Sequence, residues 1–306
     1  MRVMFAGSPP VALPALVALH ESRHELVGVL TQPPRPVGRK RVLTPTAVEV
    51  KARELGIPVS TPTDSAELLS AVETWRPDVA VVVAFGQLLT GEMIGAVPQG
   101  WWNLHFSLLP RWRGAAPVQH AVLAGDDLTG VTIFRIDKGL DTGDIATRVE
   151  HPLTGEETAG EVLEVLSELA LAPLLETLEA IESGSIRLTS QTGKATVAPK
   201  PAADFGRIRW ADPADRVLRR VRAATPEPGA YATRVDTGQR VLMLECASSS
   251  EHVRLGPGEI THSAGTVLVG TGEGLVELKT VLPAGKRPMP AVDWFRGLPE
   301  GVCFVA

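Results

Sequence analysis

The run VAVVV at residues 79–83 decides the fold: five consecutive apolar residues, four of them valine, with no polar position among them. A strand with one wetted face alternates apolar and polar, whereas a strand covered on both faces of a parallel sheet is apolar throughout. Working outward, residues 2–6, 26–31, 101–105 and 132–136 read as further strands. Residues 45–55 and 64–75 read as helices between them, the second opened by Asp64-x-x-Glu67 in the pattern of a capping box. This alternation predicts an open, doubly wound, mostly parallel α/β sheet. From residue 160 to Gly184 apolar residues recur at three-to-four spacing, which predicts a helix packed on the sheet and kinked at Pro173. The first strand is followed by Ala6-Gly7-Ser8-Pro9-Pro10 rather than G-x-G-x-x-G. Two prolines cannot replace the glycine that lets backbone approach a pyrophosphate, which argues against an NAD-dependent dehydrogenase.

Between Thr189 and Gly206 the composition shifts to Thr, Lys, Pro and Ala, as in a linker. The expected division is therefore a first domain over 1–188, a linker over 189–205 and a second domain over 206–306. The second domain opens on a helix at 213–224 carrying Arg216, Arg219, Arg220 and Arg222. That helix reads either as an amphipathic element with a solvated basic face or as a source of phosphate contacts. Short strands follow, separated by TGQ, GPGE, SAGT, GTGEG and PAGKRP, and describe a small β domain.

Length and composition agree with two globular domains: 306 residues, 44% hydrophobic and 21% charged. No signal-peptide core follows Met1 and no apolar run approaches a membrane span, so a cytoplasmic protein without membrane contact is expected. Cys246 and Cys303 match no metal-ligand spacing, and the seven histidines form no cluster, so no metal is expected. The net charge of −5 is unevenly spread. From Gly206 onward 13 Lys and Arg face 11 Asp and Glu, against 17 and 24 before it. This asymmetry permits an RNA surface on the second domain without establishing one.

The chemistry is concentrated in WWNLHFSLLPRWRGAAP at 101–117 and in LDTGD at 140–144. Asn103 and His105 are two apart at the end of a strand, so their side chains leave the same face and can address one carbonyl. Asp141 would supply the carboxylate that orients and charges the imidazole, a set suited to moving an acyl group without a covalent enzyme intermediate. Each piece alone also fits a plainer role, Asn-x-His as a pair closing a turn and Asp-Thr-Gly-Asp as a surface loop. Residues 85–89, on the same footing, are an ordinary core-to-loop transition. The loop at 32–45 holds prolines that resist secondary structure together with Arg35, Arg39, Lys40 and Arg41. On charge alone it is a solvated basic loop.

Taken together, NLHFSLLPRWRGAAP at 103–117, GLDTGD at 139–144 and VGVLTQPPRPVGRKR at 27–41 resemble the segments of the methionyl-tRNA formyltransferase family, in the same order and over nearly the whole chain. The resemblance implies a Rossmann-like formyltransferase domain followed by an OB-like β-barrel that binds tRNA. It implies formyl transfer from 10-formyltetrahydrofolate to the amino group of methionyl-initiator tRNA, by a monomer and without a metal. Asn103 would hold the oxyanion, His105 would shuttle protons and Asp141 would support His105. The folate pocket would be formed by Phe85, Gly86, Gln87, Leu88 and Leu89 with Asp137, Lys138, Gly139 and Leu140. Ser107, Leu108, Leu109 and Pro110 would build its wall and turn, with Gly114 allowing close backbone approach. Arg35, Arg39, Lys40 and Arg41 would meet the tRNA acceptor end, Arg39 above all. Phe106 stands where the family more usually has a small residue, which concerns the packing around His105. Two other functions compete: a folate-dependent N-formyltransferase acting on an aminosugar nucleotide or ribotide, and a non-enzymatic RNA-binding protein. The basic loop and second domain speak against the former, the complete Asn-His-Asp set against the latter.

Overall fold

A computed structural model describes residues 1–38 and 40–306. Packing divides the chain into two units: Met1–Pro117 with Leu128–Pro152 and Leu163–Pro199, and Val118–Asp127 with Leu153–Val162 and Lys200–Ala306.

The strands of the first unit are β1 (Arg2–Gly7), β2 (Glu25–Leu30), β3 (Arg35–Val37), β4 (Val42–Thr44), β5 (Val59–Ser60), β6 (Val79–Val83), β7 (Trp101–His105), β8 (Leu128–Arg135) and β9 (Ile145–Pro152). Seven of these form one sheet in the order β5-β2-β1-β6-β7-β8-β9. It is parallel from β5 to β7 and antiparallel from β7 to β9. Every residue of β6 is buried, as its unbroken apolar run requires. The chain winds one way from β1 and returns to the other side through β6, so the carboxyl ends of β1 and β6 form the switch point where ligands gather in such sheets.

Helices α1 (Leu13–Glu21), α2 (Ala47–Glu54), α3 (Ser65–Trp75), α4 (Gly91–Gly95), α5 (Pro117–Ala124), α6 (Ala159–Leu169) and α7 (Leu171–Glu182) follow the connections. Asp64 caps α3 by accepting from the Glu67 amide at 2.9 Å, while Glu67 reaches back to the Thr63 amide at 2.7 Å, one residue earlier than a standard capping box. The helix expected to kink at Pro173 is instead two helices that part at Ala170. Pro173 lies in the first turn of α7, where its missing N–H costs nothing. The strand expected at 132–136 begins four residues earlier. The basic loop is more ordered than its prolines predict, because β3 and β4 pair as an antiparallel hairpin with Arg35 opposite Thr44. Residues 189–198 are also tied down. Thr189 bridges Ile145 and Val197 bridges Arg113, with backbone bonds from Arg113 to Thr196 and from Ala198 to Arg113.

In the second unit α8 (Ala214–Ala224) precedes β10 (Ala230–Thr233), β11 (Arg240–Ser249), β12 (Ile260–Ser263), β13 (Thr266–Gly270), β14 (Leu275–Pro283), β15 (Met289–Pro290) and α9 (Ala291–Phe295). The antiparallel order is β10-β11-β14-β13-β12, with β15 on β14. The terminal segment then bonds both ends of this path: Val305 donates to the Thr233 carbonyl, and Phe304 to that of Gly258 just before β12. The terminal segment thus bridges the two ends of the path, through Arg234–Phe304 and Glu259–Cys303, in the manner of the small barrel expected from the family. Phe304 also stacks between Trp210 and Trp294, at ring distances of 5.5 and 5.8 Å, which anchors the closing segment in the core. Val217, Leu218 and Val221 turn α8 inward. Arg216 and Arg219 pair with Asp212 and Asp215 one turn earlier, and Arg220 donates to the Phe205 carbonyl.

Candidate active site

Strand β7 carries the first two candidate residues. Asn103 lies opposite Val82 of β6 and Phe134 of β8, and His105 opposite Thr132. The two side chains and the Phe134 ring therefore share a face. The imidazole is buried, meets Phe134 edge-on at 6.3 Å, and has Nε2 2.9 Å from the Trp112 carbonyl. A carbonyl can only accept, so Nε2 holds the proton of the neutral ring and Nδ1 is its basic atom. Asp141 Oδ2 stands 3.7 Å from Nδ1, beyond a hydrogen bond but placed to pair with the ring once it gains a proton. Burial pushes the His105 pKa below the ordinary imidazole value; Asp141 and then the Trp112 carbonyl oppose that shift without reversing it. The Trp112 carbonyl thus joins Asp141 around the ring: the carbonyl fixes the tautomer, while Asp141 favours the charged form, as expected of it, without overcoming burial.

Asp141 is held in turn by the loop between β8 and β9. Asp137 accepts from the Gly139 amide at 2.9 Å and the Thr142 hydroxyl at 2.6 Å, closing an Asx turn. The Asp141 backbone is left-handed at φ 50°, and its Oδ2 accepts from the Gly114 amide at 2.7 Å. Gly114 has φ 122°, and a Cβ there would lie 2.7 Å from the Ala198 carbonyl oxygen. Only glycine lets the amide reach the carboxylate.

A cavity of about 620 Å³ opens between the ends of β6, β7 and β8, a volume that suits a small-molecule site. Asn103, His105 and Asp141 line it together with all of 85–89 and 137–140. Gly86 turns this wall at φ 82°, while the Phe85 carbonyl accepts from the Ser8 hydroxyl at 3.0 Å and from the Gln32 side-chain Nε2 at 3.2 Å. Leu88 and Leu140 remain exposed at the rim. Ser107, Leu108, Leu109 and Pro110 stand behind the cavity rather than lining it. Leu109 is fully buried against Phe134 and Ile145, Thr132 donates to the Ser107 carbonyl, and Ser107 donates to that of Arg111. Phe106 does line the cavity, so the departure from the family adds apolar wall beside His105. Among the described residues no group of three His, Cys, Asp or Glu is placed to hold a metal.

Arg35, donating to Gln32 Oε1 at 2.7 Å, lines a second cavity of about 520 Å³ that shares Gln87 and Leu88 with the first. Lys40 and Arg41 are exposed at the hairpin turn, and Arg39 lies outside the described residues. Three contributors escaped the sequence reading: the Trp112 carbonyl, Thr196, which accepts from the Trp112 amide at 2.9 Å, and Gln191, whose side chain bonds the Asp141 carbonyl at 2.8 Å. A backbone carbonyl has no residue signature, and the other two sit in a segment with linker composition.

Residues 1–178 match the family model for formyl transferase, and 202–299 that for the formyl transferase C-terminal domain. The chain is 47% identical to a methionyl-tRNA formyltransferase of Paenarthrobacter aurescens (strain TC1), over 99% of this chain and 100% of that one. Among solved structures, HypX from Aquifex aeolicus in complex with tetrahydrofolic acid is 20% identical with a TM-score of 0.70, over 96% of this chain and 47% of that one. Methionyl-tRNA formyltransferase from Clostridium thermocellum is 16% identical with a TM-score of 0.60, over 83% and 96%. At these identities the structural likeness concerns the fold alone.

Proposed function

Since the chain belongs to the formyl transferase family, among the methionyl-tRNA formyltransferases, we propose that the cavity beside Asn103, His105 and Asp141 is where it moves the formyl group of 10-formyltetrahydrofolate onto methionyl-tRNA. The α-amino group of the aminoacyl ester has a pKa of about 8, so a useful fraction is neutral near pH 7 and attacks directly. The carbonyl pair moves onto oxygen, and the Asn103 amide, a neutral donor, stabilises that oxyanion without charging the ground state. His105 Nδ1 takes a proton from the new ammonium and becomes an imidazolium beside Asp141. It then delivers that proton to N10 as the C–N10 bond breaks, leaving the formylated amine and tetrahydrofolate.

Residues 85–89 and 137–140 would hold the pteridine, with Ser107–Pro110 supporting the catalytic strand from behind. Arg35, Arg39, Lys40 and Arg41 would meet the acceptor end of the tRNA. We assign the catalytic domain to 1–188 and tRNA binding to 206–306, joined by 189–205, whose residues 189–198 are bonded back onto the catalytic domain, in a cytoplasmic monomer. The observation that carries the reading is a buried His105 whose Nδ1 lies 3.7 Å from Asp141, on the cavity that Asn103 also lines. The test offers the protein 10-formyltetrahydrofolate with methionyl-initiator tRNA or with an aminosugar nucleotide. Formylation of the tRNA alone is expected; formylation of the sugar alone would transfer the assignment to the sugar-modifying branch.

A further inference from the structure

Resting on that function, we propose that Gln191 is a positioning residue for the His105–Asp141 pair, reaching it from the segment that composition marks as a linker. Its carboxamide is used at both ends. The NH2 donates to the Asp141 carbonyl at 2.8 Å and the Gly143 carbonyl at 2.9 Å. The Oε1 accepts from Arg113 Nε at 3.1 Å and Nη2 at 2.6 Å. Asp141 gains from such support because a left-handed backbone at φ 50°, though better tolerated by aspartate than by most residues, is still a minority conformation that neighbouring bonds help to hold. Arg113 immediately precedes Gly114, whose amide orients the Asp141 carboxylate. One side chain thus fastens the backbone of the catalytic carboxylate and the loop that aims it. Five residues on, Thr196 acts in the same direction: it accepts from the Trp112 amide, and the Trp112 carbonyl engages His105 Nε2. The Asp141 carboxylate, 3.7 Å from Nδ1, favours the charged form of His105, so loosening it has a specific electrostatic signature.

The experiment compares Gln191→Leu and Gln191→Glu with the unaltered full chain. Gln191→Leu removes every bond and is expected to lower kcat on the order of ten- to a hundredfold, as a misplaced catalytic group does. The KM for each substrate should stay within about twofold. In the substrate-free protein the His105 titration, followed by NMR, should move to lower pH as the carboxylate drifts away. Gln191→Glu keeps an acceptor for Arg113 but cannot donate to the two carbonyls, so its kcat should remain low. It carries the test by itself if Gln191→Leu does not fold. An unaltered His105 titration in Gln191→Leu, or normal kcat in Gln191→Glu, would overturn the proposal. Should the unaltered chain fail to formylate methionyl-tRNA, the assigned function falls, while the titration still decides whether Gln191 positions Asp141.

Discussion

In His105 two influences of opposite sign meet on one imidazole: burial among apolar groups, which disfavours its charged form, and the Asp141 carboxylate, which favours it. Burial is the larger, so the ring rests as a neutral base and gains its partner only on accepting a proton. The acidic limb of the kcat profile should therefore lie below the ordinary imidazole value of about 6.5. Asp141→Asn should move it lower still, because the opposing influence is gone, and should reduce turnover as well. NMR titration of His105 in the two proteins checks the sign; an upward or absent shift would mean that Asp141 acts elsewhere. At this scale the sequence was informative about identities and silent about contacts. Asn103 and His105 could be named from their spacing on a strand and Asp141 from the resemblance of GLDTGD to the family's segment, but the carbonyl that sets the tautomer belongs to Trp112 whatever its side chain.

Among the elements, the loop from β7 to α5 and the segment at 189–198 hold each other. Gly114→Ala should therefore do two things at once. Its methyl meets the Ala198 carbonyl and its backbone loses an easy φ of 122°, which should cost about 1–3 kcal/mol in a denaturant melt. Turnover should fall as well, since the Gly114 amide is the donor to Asp141. The β3–β4 hairpin presents Lys40 and Arg41 to solvent, so trypsin should cut there in the free protein and be blocked by initiator tRNA. Rapid cleavage that tRNA does not slow would detach the hairpin from tRNA recognition. The elements legible in the sequence were those with a single burial environment, β6 above all. Strand β8 was read short because Thr129 and Gly130 break its apolar run, yet a Cβ at Gly130 would lie 2.1 Å from the Val149 carbonyl of β9. The neighbouring β9 was missed because its inward positions Thr147, Val149 and His151 are only half-buried and two of the three are polar, so no apolar alternation marks it. The segment at 189–198 is held by side-chain and backbone bonds, which leave no hydrophobic period to read.

At the scale of the whole molecule the charge is divided, about +2 from Gly206 onward and −7 before it, so attraction to tRNA must come from local basic surfaces rather than from net charge. Raising salt should weaken tRNA binding in proportion to the phosphates met while leaving the donor's KM nearly constant, and Arg39→Ala should flatten that salt slope by somewhat less than one unit. Equal salt sensitivity of both substrates would place the basic loop outside the tRNA path. All of this presumes that one Asn-His-Asp site performs the transfer, and single-turnover formylation of methionyl-initiator tRNA at saturating 10-formyltetrahydrofolate tests that most directly. Loss of an oxyanion donor costs roughly 10²–10³ in rate and loss of the acid–base group roughly 10²–10⁴. Asn103→Ala and His105→Ala are each predicted to slow the chemical step by those factors with the donor still bound. A first turnover as fast as that of the unaltered protein in either variant would contradict the account.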